Sequence, residues 1–538
     1  MSYSIGIDLG TCNSCISIAS RDKCDVVEIN NNQLLPSIVD FTDRNNIKTG
    51  MYAKTNAITK GNVVEGNKRI IGHKFDEDSI HEIKSFCQAE VRADADGYCC
   101  YYIPAQNRCV SPEEVNAELI KVMYNAAIEK MGHRKPKEVW ITIPASFSQK
   151  QKSITRRSAE KVIKEPIHFI SEPSAASIQY GHDETCEDGT IVVYDLGGGT
   201  FDVCIIRNKN KHFEIVGTAG HPTIGGKFFD KLIFLYINQE YKDHMIKEMG
   251  CDESLLPENL KGDEIKYQKS MWKILNQCEE AKKELSSPGV EVAHVDIDEY
   301  FEFMEKLSGH NRDDGDDGDD DCNIGVAFEG ELRRDKLEEL LKPHLQTTVD
   351  ITLGLLQEKN IRIRDVTRVL LVGGSSHIPL VRKLLANTFG KDKIGKDINC
   401  DNCVSKGAAL RGLPEYNDVI ERNTLVDIST YDIAVKLARG KYGVLIPKDT
   451  PLPYTGSKVY HKRNPDLDFV VSSVYERNRG DDYSLLKDIC VTDECLYDRS
   501  PAIRVDYTLT TEGELTVKFT DEELGRVLLE ESKVLDSM

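Results

Sequence analysis

Residues 191–206 read IVVYDLGGGTFDVCII, and this stretch decides the fold. Apolar runs on both sides of three consecutive glycines predict two strands joined by a tight turn, with Asp195 where the first strand ends. Glycines let backbone N–H groups approach an anion closely, so such a turn is suited to phosphate. A carboxylate repels phosphate, but it can hold Mg²⁺ through water molecules.

A second copy of this pattern opens the chain. Residues 4–19 read SIGIDLGTCNSCISIA, where Asp8 corresponds to Asp195, and a further glycine turn occurs in VTRVLLVGGSSHIP at residues 366–379. The repeat predicts two similar lobes that would clamp a Mg-triphosphate between their turns. A single turn of this kind would instead indicate a plain hairpin.

Composition limits the class of protein. The chain has 538 residues, so about two to four domains are expected. A formal net charge of −20 disfavours binding to nucleic acid or to anionic membranes. The sequence has neither an apolar run long enough to span a bilayer nor a secretory signal, and its 16 cysteines lack a regular spacing. These features predict a cytoplasmic protein with reduced thiols.

Eight motifs occur in the order seen in the heat shock protein 70 (DnaK-type) chaperones. They are GIDLGTCNS, NKRIIGHKF, WITIPASF, SEPSAASIQYG, YDLGGGTFDV, CEEAKKELSS, LVGGSSHIP and KGAALRG. The chain thus resembles this family, whose fold is a two-lobed actin-like α/β ATPase domain followed by an all-β sandwich. The resemblance implies an ATPase domain over residues 1–413, an interdomain linker over 414–428 and a peptide-binding sandwich over 429–538.

The resemblance also assigns the chemistry of the cleft. The implied cofactors are ATP and Mg²⁺, with Asp8 and Asp195 ordering the metal through waters. Lys68 would reach the γ-phosphate and position the attacking water, and positioning supplies most of the catalysis in phosphoryl transfer. The predicted catalytic residues are Lys68, Glu172, Asp195, Thr200 and Asp202. Alternatively, Glu172 is an ordinary acid at a helix start and Lys68 is a solvated cation.

A larger set of residues is implied for nucleotide binding. The predicted phosphate-binding residues are Gly10, Thr11, Cys12, Asn13, Gly198 and Gly199. The predicted adenosine-binding residues are Gly225, Gly226, Glu279, Lys282, Lys283, Ser286, Gly374, Ser375, His377 and Asp401. Without the resemblance, the segment CEEAKKEL would be read as a charged surface helix.

Five positions of the ATPase region depart from the family pattern. Cys12 replaces a threonine of the first phosphate loop, and His377 replaces an arginine near the adenine. Lys227 and Phe228 replace an acidic pair, and Ser146 replaces a tyrosine. These changes bear on nucleotide affinity or rate, but none removes a group expected to hold Mg²⁺ or the attacking water.

The sandwich region consists of short, partly alternating apolar segments separated by turns. The resemblance implies that Ile433, Val435, Tyr460, Val470 and Ser472 line a pocket for an extended peptide. These residues could equally fill the sandwich core. Little sequence follows the last strand, so the family's helical lid is expected to be absent, as in its short, ribosome-associated members.

Two local features suggest no additional chemistry. The aspartate-rich segment 309–323 lacks the spacing of a calcium loop and is predicted to be an acidic insertion. Cys400 and Cys403 form a lone C-x-x-C pair, for which a zinc or redox role is disfavoured.

Three functions are compatible with the sequence. The first is an ATP-hydrolysing chaperone that assists protein folding and the stress response, with transient peptide binding because no lid closes. Its implied partners are unfolded or nascent polypeptides, a J-domain co-chaperone and a nucleotide exchange factor. The second is a non-enzymatic, ATP-binding regulator in a ribosome-associated chaperone complex. The third is a sugar or small-molecule kinase, which would have no use for the β domain.

Overall fold

The structure is a computed structural model. It describes residues 3–56, 61–84, 87–183, 188–210, 212–247, 264–296, 330–395, 399–413, 425–437, 441–461, 469–477, 483–492, 502–511, 513–522 and 525–531. The predicted acidic insertion, residues 309–323, and positions 414–424 of the predicted linker lie outside the described residues. Within the described part of the chain, no helix combines the length and apolar character needed to cross a bilayer.

The first lobe is a mixed sheet flanked by helices. Its strands are β1 (Ser4–Asp8), β2 (Asn13–Ser20), β3 (Lys23–Val26), β4 (Leu35–Pro36), β5 (Ile38–Asp40), β6 (Lys48–Thr49), β7 (Val63–Glu65), β8 (Glu90–Ala93), β9 (Cys99–Ile103), β10 (Arg108–Val110), β11 (Glu138–Ile143) and β12 (Ile167–Ser171). Its helices are α1 (Met51–Asn56), α2 (Asp78–Lys84), α3 (Pro112–Lys130), α4 (Gln149–Glu160) and α5 (Glu172–Asp183). The main sheet has the order β12-β11-β1-β2-β3, with β4 also paired to β2.

The second lobe repeats this plan. Its strands are β13 (Gly189–Leu196), β14 (Phe201–Lys209), β15 (His212–His221), β16 (Val292–Val295), β17 (Gly330–Arg333) and β18 (Val366–Val372). Its helices are α6 (Gly226–Lys247), α7 (Glu264–Ser286), α8 (Arg334–Glu358) and α9 (Pro379–Phe389), and α10 (Cys403–Arg411) returns to the first lobe.

The two predicted glycine hairpins occupy matching places. Strand β1 pairs antiparallel with β2 and parallel with β11, and β13 pairs antiparallel with β14 and parallel with β18. Asp8 stands opposite Cys15 in the first hairpin, and Asp195 stands opposite Asp202 in the second. The repeated strand–turn–strand unit is therefore confirmed, with one copy in each lobe.

Two four-stranded sheets form the C-terminal sandwich. The remaining strands are β19 (Leu425–Ile428), β20 (Ile433–Lys436), β21 (Tyr442–Ile446), β22 (Pro451–Leu452), β23 (Tyr454–His461), β24 (Phe469–Arg477), β25 (Tyr483–Thr492), β26 (Ala502–Leu509), β27 (Leu515–Asp521) and β28 (Val527–Glu531). The sheets have the orders β21-β20-β24-β25 and β23-β26-β27-β28. Inward-facing residues such as Val474, Val505 and Phe519 form the core between them.

The last part of the predicted linker is a strand of the second lobe. Strand β19 pairs parallel with β15, with Leu425 opposite Phe213. It also pairs antiparallel with β22, with Asp427 opposite Leu452. The second-lobe sheet therefore has the order β18-β13-β14-β15-β19-β22. The sequence predicted a connector here because a four-residue strand has no periodicity of its own and forms only by adding to an open sheet edge.

The start of the sandwich is hydrogen-bonded to the first lobe. The Thr430 hydroxyl donates to the Ala145 carbonyl oxygen at 2.6 Å. The Tyr431 hydroxyl donates to the Ser146 carbonyl oxygen at 2.8 Å. Both acceptors lie in the segment that connects β11 to α4, which carries the family motif WITIPASF. The sandwich is thus docked on the segment that enters α4.

A buried carboxylate completes this contact. Glu476 of β24 is 3% exposed and accepts the Gln149 N–H at the start of α4, with N···O distances of 3.1 and 3.3 Å. Burial raises the pKa of Glu476 to about 7, against the opposing effects of the Gln149 N–H and the Lys152 ammonium. Burial also raises the pKa of Asp427 and lowers that of Lys152. The docked interface therefore contains a carboxyl group, that of Glu476, which titrates near neutral pH.

Helix α10 fixes the base of the cleft because it lies very close to α5. A Cβ placed on Gly407 would fall 1.8 Å from the Ala175 carbonyl oxygen, a distance that no side chain can occupy. We expect Gly407→Ala to destabilise the protein by about 2 kcal/mol or more through this backbone clash. Urea unfolding followed by circular dichroism measures the effect.

Gly354 is the matched control for this substitution, because it is also helical and a Cβ there would meet nothing within 4 Å. We expect Gly354→Ala to stabilise the protein by about 0.5–1 kcal/mol, since alanine restricts the unfolded chain. Equal effects of the two substitutions would contradict the close packing of α10 on α5.

The docked interface should also depend on pH. An exposed glutamate has a pKa near 4.3, whereas docking raises that of Glu476 to about 7, so docking takes up a proton between these values. We expect docking to be favoured near pH 5 and to lose about 2–3 kcal/mol as the pH rises to 8, since Glu476 gives up the proton over this range. Small-angle scattering at the two pH values measures the docked fraction.

Glu476→Gln should remove most of this pH dependence and preserve docking, because the amide oxygen still accepts the Gln149 N–H. The remaining pH dependence should come from Asp427, whose pKa is also raised by burial. Glu530→Gln, at an exposed position of β28, is the control and should leave the pH profile unchanged. A wild-type protein with no pH dependence would refute the assignment.

Candidate active site

The two hairpin turns meet at the bottom of the interlobe cleft. A Cβ on Gly198 would lie 2.4 Å from the Cys12 Sγ, and one on Gly199 would lie 2.5 Å from a Thr11 methyl carbon. The Arg69 guanidinium donates to the Gly199 carbonyl oxygen at 3.2 Å. Residues without side chains are therefore required where the second turn touches the first. The structure brings together the two loops predicted to bind phosphate.

Lys68 and Glu172 form a buried ion pair beside these turns. Lys68 lies in a short 3₁₀ helix, Asn67–Arg69, and Glu172 is the first residue of α5. The two side chains are hydrogen-bonded, with side-chain exposures of 16% and 10%. The Lys68 ammonium also lies 5.9 Å from the centre of the Phe147 ring. The alternative that Lys68 is a solvated surface cation is therefore excluded.

Carboxylates outnumber cations around Lys68. Burial raises the pKa of Asp195 well above its usual range, and the neighbouring Glu172, Asp202 and Asp8 raise it further. Burial raises the pKa of Asp8, and it raises that of Glu172 to about 7, although Lys68 opposes both shifts. Burial alone would lower the pKa of Lys68, but the Glu172 and Asp8 carboxylates raise it overall. The site therefore has a deficit of positive charge.

This donor set fits a divalent cation held indirectly. Hard carboxylate oxygens are ligands that Mg²⁺ prefers, and Mg²⁺ usually keeps several of its waters. Among the described residues, no three histidine, cysteine or acidic side chains converge closely enough to ligate a metal directly. Asp8 is held in place by the Thr142 hydroxyl at 3.1 Å. Asp8 and Asp195 would thus hold the ion through its water shell.

Several of the predicted adenosine-binding residues lie on α6 and α7 of the second lobe. Lys282 is buried and donates to the Asp230 carboxylate at 2.6 Å and to the Gly226 carbonyl oxygen at 3.0 Å. The Ser286 hydroxyl donates to the Lys282 carbonyl oxygen at 2.8 Å, within α7. A Cβ on Gly225 would lie 2.8 Å from the Gly199 carbonyl carbon, so this glycine is also required for close packing.

Residues from the third glycine turn approach the same region. The Ser375 hydroxyl donates to the Gly197 carbonyl oxygen at 2.9 Å, which connects this turn to the phosphate loop. His377 Nε2 lies 3.1 Å from the Asp401 carboxylate, which raises the pKa of His377. A Cβ on Gly374 would lie 3.4 Å from the Asp401 carboxylate. The structure therefore brings together Gly374, His377 and Asp401, three of the residues predicted to bind adenosine.

Ion pairs that the sequence did not predict join the two lobes across the cleft. Glu279 of α7 pairs with Lys54 of α1 at 3.1 Å, with Lys283 at 2.8 Å and with Lys227 at 3.5 Å. Lys227 also reaches Glu65 of the first lobe at 3.6 Å. Burial would raise the pKa of Glu279, but Lys227 and the other cations hold it well below its usual range. The one sign of this cluster in the sequence was Lys227, which replaces an acidic residue of the family pattern.

Three of the five predicted peptide-binding residues, Ile433, Val435 and Tyr460, lie in or against the sandwich core. Ile433 and Val435 are 1% and 3% exposed and belong to the sandwich core, and Tyr460 packs against the same core. In the backbone pairing, Val470 stands opposite Val491 and Ser472 stands opposite Ile489, both in β25. The side chains of Ile433 and Val435 thus fill the core, which is the alternative that the sequence left open.

The C-x-x-C pair has the properties of buried thiols. Burial raises the pKa of Cys400 to about 11 and that of Cys403 well above its usual range. No disulfide joins the two residues. Protonated thiols are poor metal ligands and poor nucleophiles, so this geometry favours a structural role.

Comparison with known proteins gives the family. Residues 4–310 and 319–527 match the family model described as Hsp70 protein. The Chaperone protein DnaK of Buchnera aphidicola subsp. Schizaphis graminum is 30% identical over 531 residues, which cover 97% of this chain and 77% of that protein. The Chaperone protein DnaK of Psychrobacter cryohalolentis is 29% identical over 537 residues, with 97% and 76% covered. The motifs, the paired hairpins and these matches agree that the chain belongs to the Hsp70 family.

Proposed function

We propose that this protein is an ATP-hydrolysing molecular chaperone that assists protein folding. The observation that carries the proposal is the buried Lys68–Glu172 pair beside the two apposed glycine turns. The buried ammonium can bind an anion. The excess of carboxylates around it can hold a divalent cation, which partly balances the charge of that anion. A Mg-nucleotide has this charge distribution.

The chain's own residues would position the reaction. When bound through Asp8 and Asp195, Mg²⁺ supplies charge neutralisation to the phosphates. The N–H groups of the two glycine turns bind phosphate oxygens, and Lys68 holds a terminal oxygen while Glu172 fixes the direction of its ammonium. Asp202 stands opposite Asp195 on the second hairpin and Thr200 lies in its turn, and both would orient the attacking water. Most of the rate would then come from positioning and charge stabilisation.

The upper cleft would bind the nucleoside. Glu279, Lys282, Lys283 and Ser286 lie on α7, and Gly374, Ser375 and His377 follow β18. Hydrogen-bonded and ion-paired side chains such as Lys282 are already fixed in position, so they lose little conformational freedom when a ligand binds. We assign these residues, with Gly225, Gly226 and Asp401, to adenosine binding, and Gly10 to Asn13 with Gly198 and Gly199 to the phosphates.

Chaperone activity would reside in the sandwich. Unfolded or nascent polypeptides would bind there as an added extended segment, in which backbone hydrogen bonds provide affinity. Because Ile433 and Val435 are buried in the docked arrangement, peptide binding would require the sandwich to rearrange. We further propose that a J-domain protein and a nucleotide exchange factor act with this chain in the cytoplasm.

One observation favours a second function, that of an ATP-binding regulator with little turnover. Lys227 and Lys54 make ion pairs that close the cleft between the lobes. Partly buried pairs of this kind would slow nucleotide exchange, since opening the cleft exposes unpaired charges. Such a protein could act as the regulatory partner of another chaperone at the ribosome. Turnover measurements distinguish the two functions.

We expect Mg-ATP to stabilise the protein. At a hundredfold excess over Kd, a ligand that binds only the folded state adds about 2.7 kcal/mol, so the melting temperature should rise. Asp195→Lys should abolish this rise, because an ammonium at this position excludes the metal. Asp22→Lys, at an exposed position of the turn after β2, is the control and should retain it. If Mg-ATP does not raise the melting temperature of the wild-type protein, both proposed functions are wrong.

Hydrolysis should depend on Lys68. We expect Lys68→Ala to bind ATP but to lose at least about tenfold in single-turnover rate, equivalent to about 1.4 kcal/mol of barrier. Lys121→Ala, on an exposed part of α3, should hydrolyse ATP at the wild-type rate. If wild type and Lys68→Ala are equally inert, with or without a J-domain protein, the protein is a regulator.

A further inference from the structure

Two cysteines lie side by side on one face of the small sheet β10-β9-β8 in the first lobe. Cys109 of β10 stands opposite Tyr102 of β9, and Cys100 lies two residues before Tyr102 on that strand. Alternate residues of a strand point to the same face, so Cys100 and Cys109 are diagonal neighbours across the two strands. Their thiols are hydrogen-bonded to each other. The pairing of β9 with β10 therefore brings these two thiols, the Cys100–Cys109 pair, into contact.

The surrounding sheet holds the Cys100–Cys109 pair in register. The opposite face of the sheet contributes Val91, Tyr101 and Val110 to the core of the first lobe. On the face that carries the pair, Arg92 of β8 stands directly opposite Cys100. The Arg92 carbonyl oxygen accepts the Cys100 thiol with an S···O distance of 3.4 Å. Cys100 is therefore anchored between its two neighbouring strands.

The two thiols differ in their access to solvent. Cys109 is exposed, whereas Cys100 is only 2% exposed. Burial and the hydrogen bond with Cys109 raise the pKa of Cys100 to about 12, so the Cys100 thiol stays protonated at neutral pH. Oxidation by a dissolved reagent selects accessible cysteines, so it begins at Cys109 and not at Cys100.

We propose that the Cys100–Cys109 pair is an oxidative modification site, at which hydrogen peroxide converts the two thiols into a reversible disulfide. The Cys109 thiolate attacks one oxygen of the peroxide, the O–O bond breaks, and Cys109 becomes a sulfenic acid as hydroxide leaves. The Cys100 sulfur then attacks the Cys109 sulfur, the S–O bond breaks, and the departing hydroxide takes up the Cys100 proton as water. Overall, the two thiols lose two electrons and two protons, and hydrogen peroxide is reduced to two molecules of water.

Contact between the two thiols favours the second step. A nucleophile held against its target reacts at a high effective concentration, which offsets the low acidity of the Cys100 thiol. Oxidation of Cys109 to a neutral sulfenic acid also removes the negative charge that raises the pKa of Cys100. The disulfide protects Cys109, because a sulfenic acid without a thiol partner is oxidised further to irreversible products. A dithiol reductant restores both thiols.

Peptide mapping of the full chain after treatment with hydrogen peroxide tests this proposal. Trypsin cleaves after Arg108, which separates Cys100 from Cys109 in the peptides 93–108 and 109–121. We expect peroxide to link these two peptides by a disulfide in chains that stay monomeric on a non-reducing gel. Dithiothreitol should release them, and the untreated protein should give the two peptides unlinked.

Single substitutions assign the two roles. Cys100→Ala should abolish the cross-link and leave Cys109 as a sulfenic acid, which dimedone traps, and then as a sulfinic acid. Cys109→Ala should leave Cys100 as a free thiol. Cys99→Ala is the matched control and should keep the cross-link, because Cys99 shares the peptide with Cys100 but belongs to the core. Thermal melts show whether each variant is folded, and fragmentation of the linked wild-type peptides identifies the cysteines if Cys100→Ala does not fold.

Three outcomes would contradict the proposal. If Cys109 of the wild type becomes a sulfinic acid while Cys100 remains a free thiol, Cys100 does not react with the sulfenic acid. If the cross-link persists in a folded Cys100→Ala variant, Cys99 is the partner instead. If Cys109 remains a free thiol under peroxide treatment that oxidises glutathione, the site is unreactive. None of these results depends on ATP hydrolysis, so the proposed function is tested separately.

Discussion

The structure depends on one electrostatic constraint, the burial of several carboxylates around a single ammonium. Asp8, Glu172 and Asp195 converge from both lobes on Lys68, and Asp202 lies beside Glu172 and Asp195. Removing an ion from water costs several kcal/mol even after relaxation, and an unpaired buried charge is strongly destabilising. The cluster therefore holds more buried carboxylates than cations, which favours binding of a further cation beside it. Burial raises the pKa of Asp8 and of Glu172, and the Lys68 ammonium offsets these shifts only in part.

The backbone arrangement makes this cluster possible. Two hairpins of the same design bring Asp8 and Asp195 to the cleft from opposite sides, and Gly198 and Gly199 let the turns touch. Below them, Gly407 allows α10 to pack directly on α5. Gly198 and Gly199 lie against side chains of the first turn, and Gly407 lies against the backbone of α5, so none of these contacts tolerates an added side chain. The positions of the charged groups are thereby fixed.

Above the charged cluster, the lobes and the sandwich are held by contacts of a different kind. Long side chains such as Lys54, Lys227 and Glu279 span the cleft as partly buried ion pairs, which resist opening because separation leaves charges unpaired. The sandwich is held by a short strand and by hydrogen bonds to the segment that enters α4. The close contacts at the base hold the charged site in place, whereas the ion pairs and hydrogen bonds above it can break and re-form.

The sequence by itself determined the hairpins, the carboxylates at their ends and the family. Local patterns suffice here, because a glycine turn and the strands on either side are contiguous in the chain. Lys68 and Glu172 were predicted as site residues only through the family motifs, because 104 residues separate them and no local pattern pairs them.

Only the tertiary structure decided the contacts that join distant parts of the chain. The ion pairs of Lys227, the strand formed by Leu425–Ile428, the hydrogen bond from Ser146 to Asp202 and the burial of Val435 all depend on partners supplied by other elements. An apolar residue in an alternating strand carries the same pattern whether it faces a core or a ligand. Which of the two it faces depends on the neighbouring sheet, and this information is absent from the strand's own sequence.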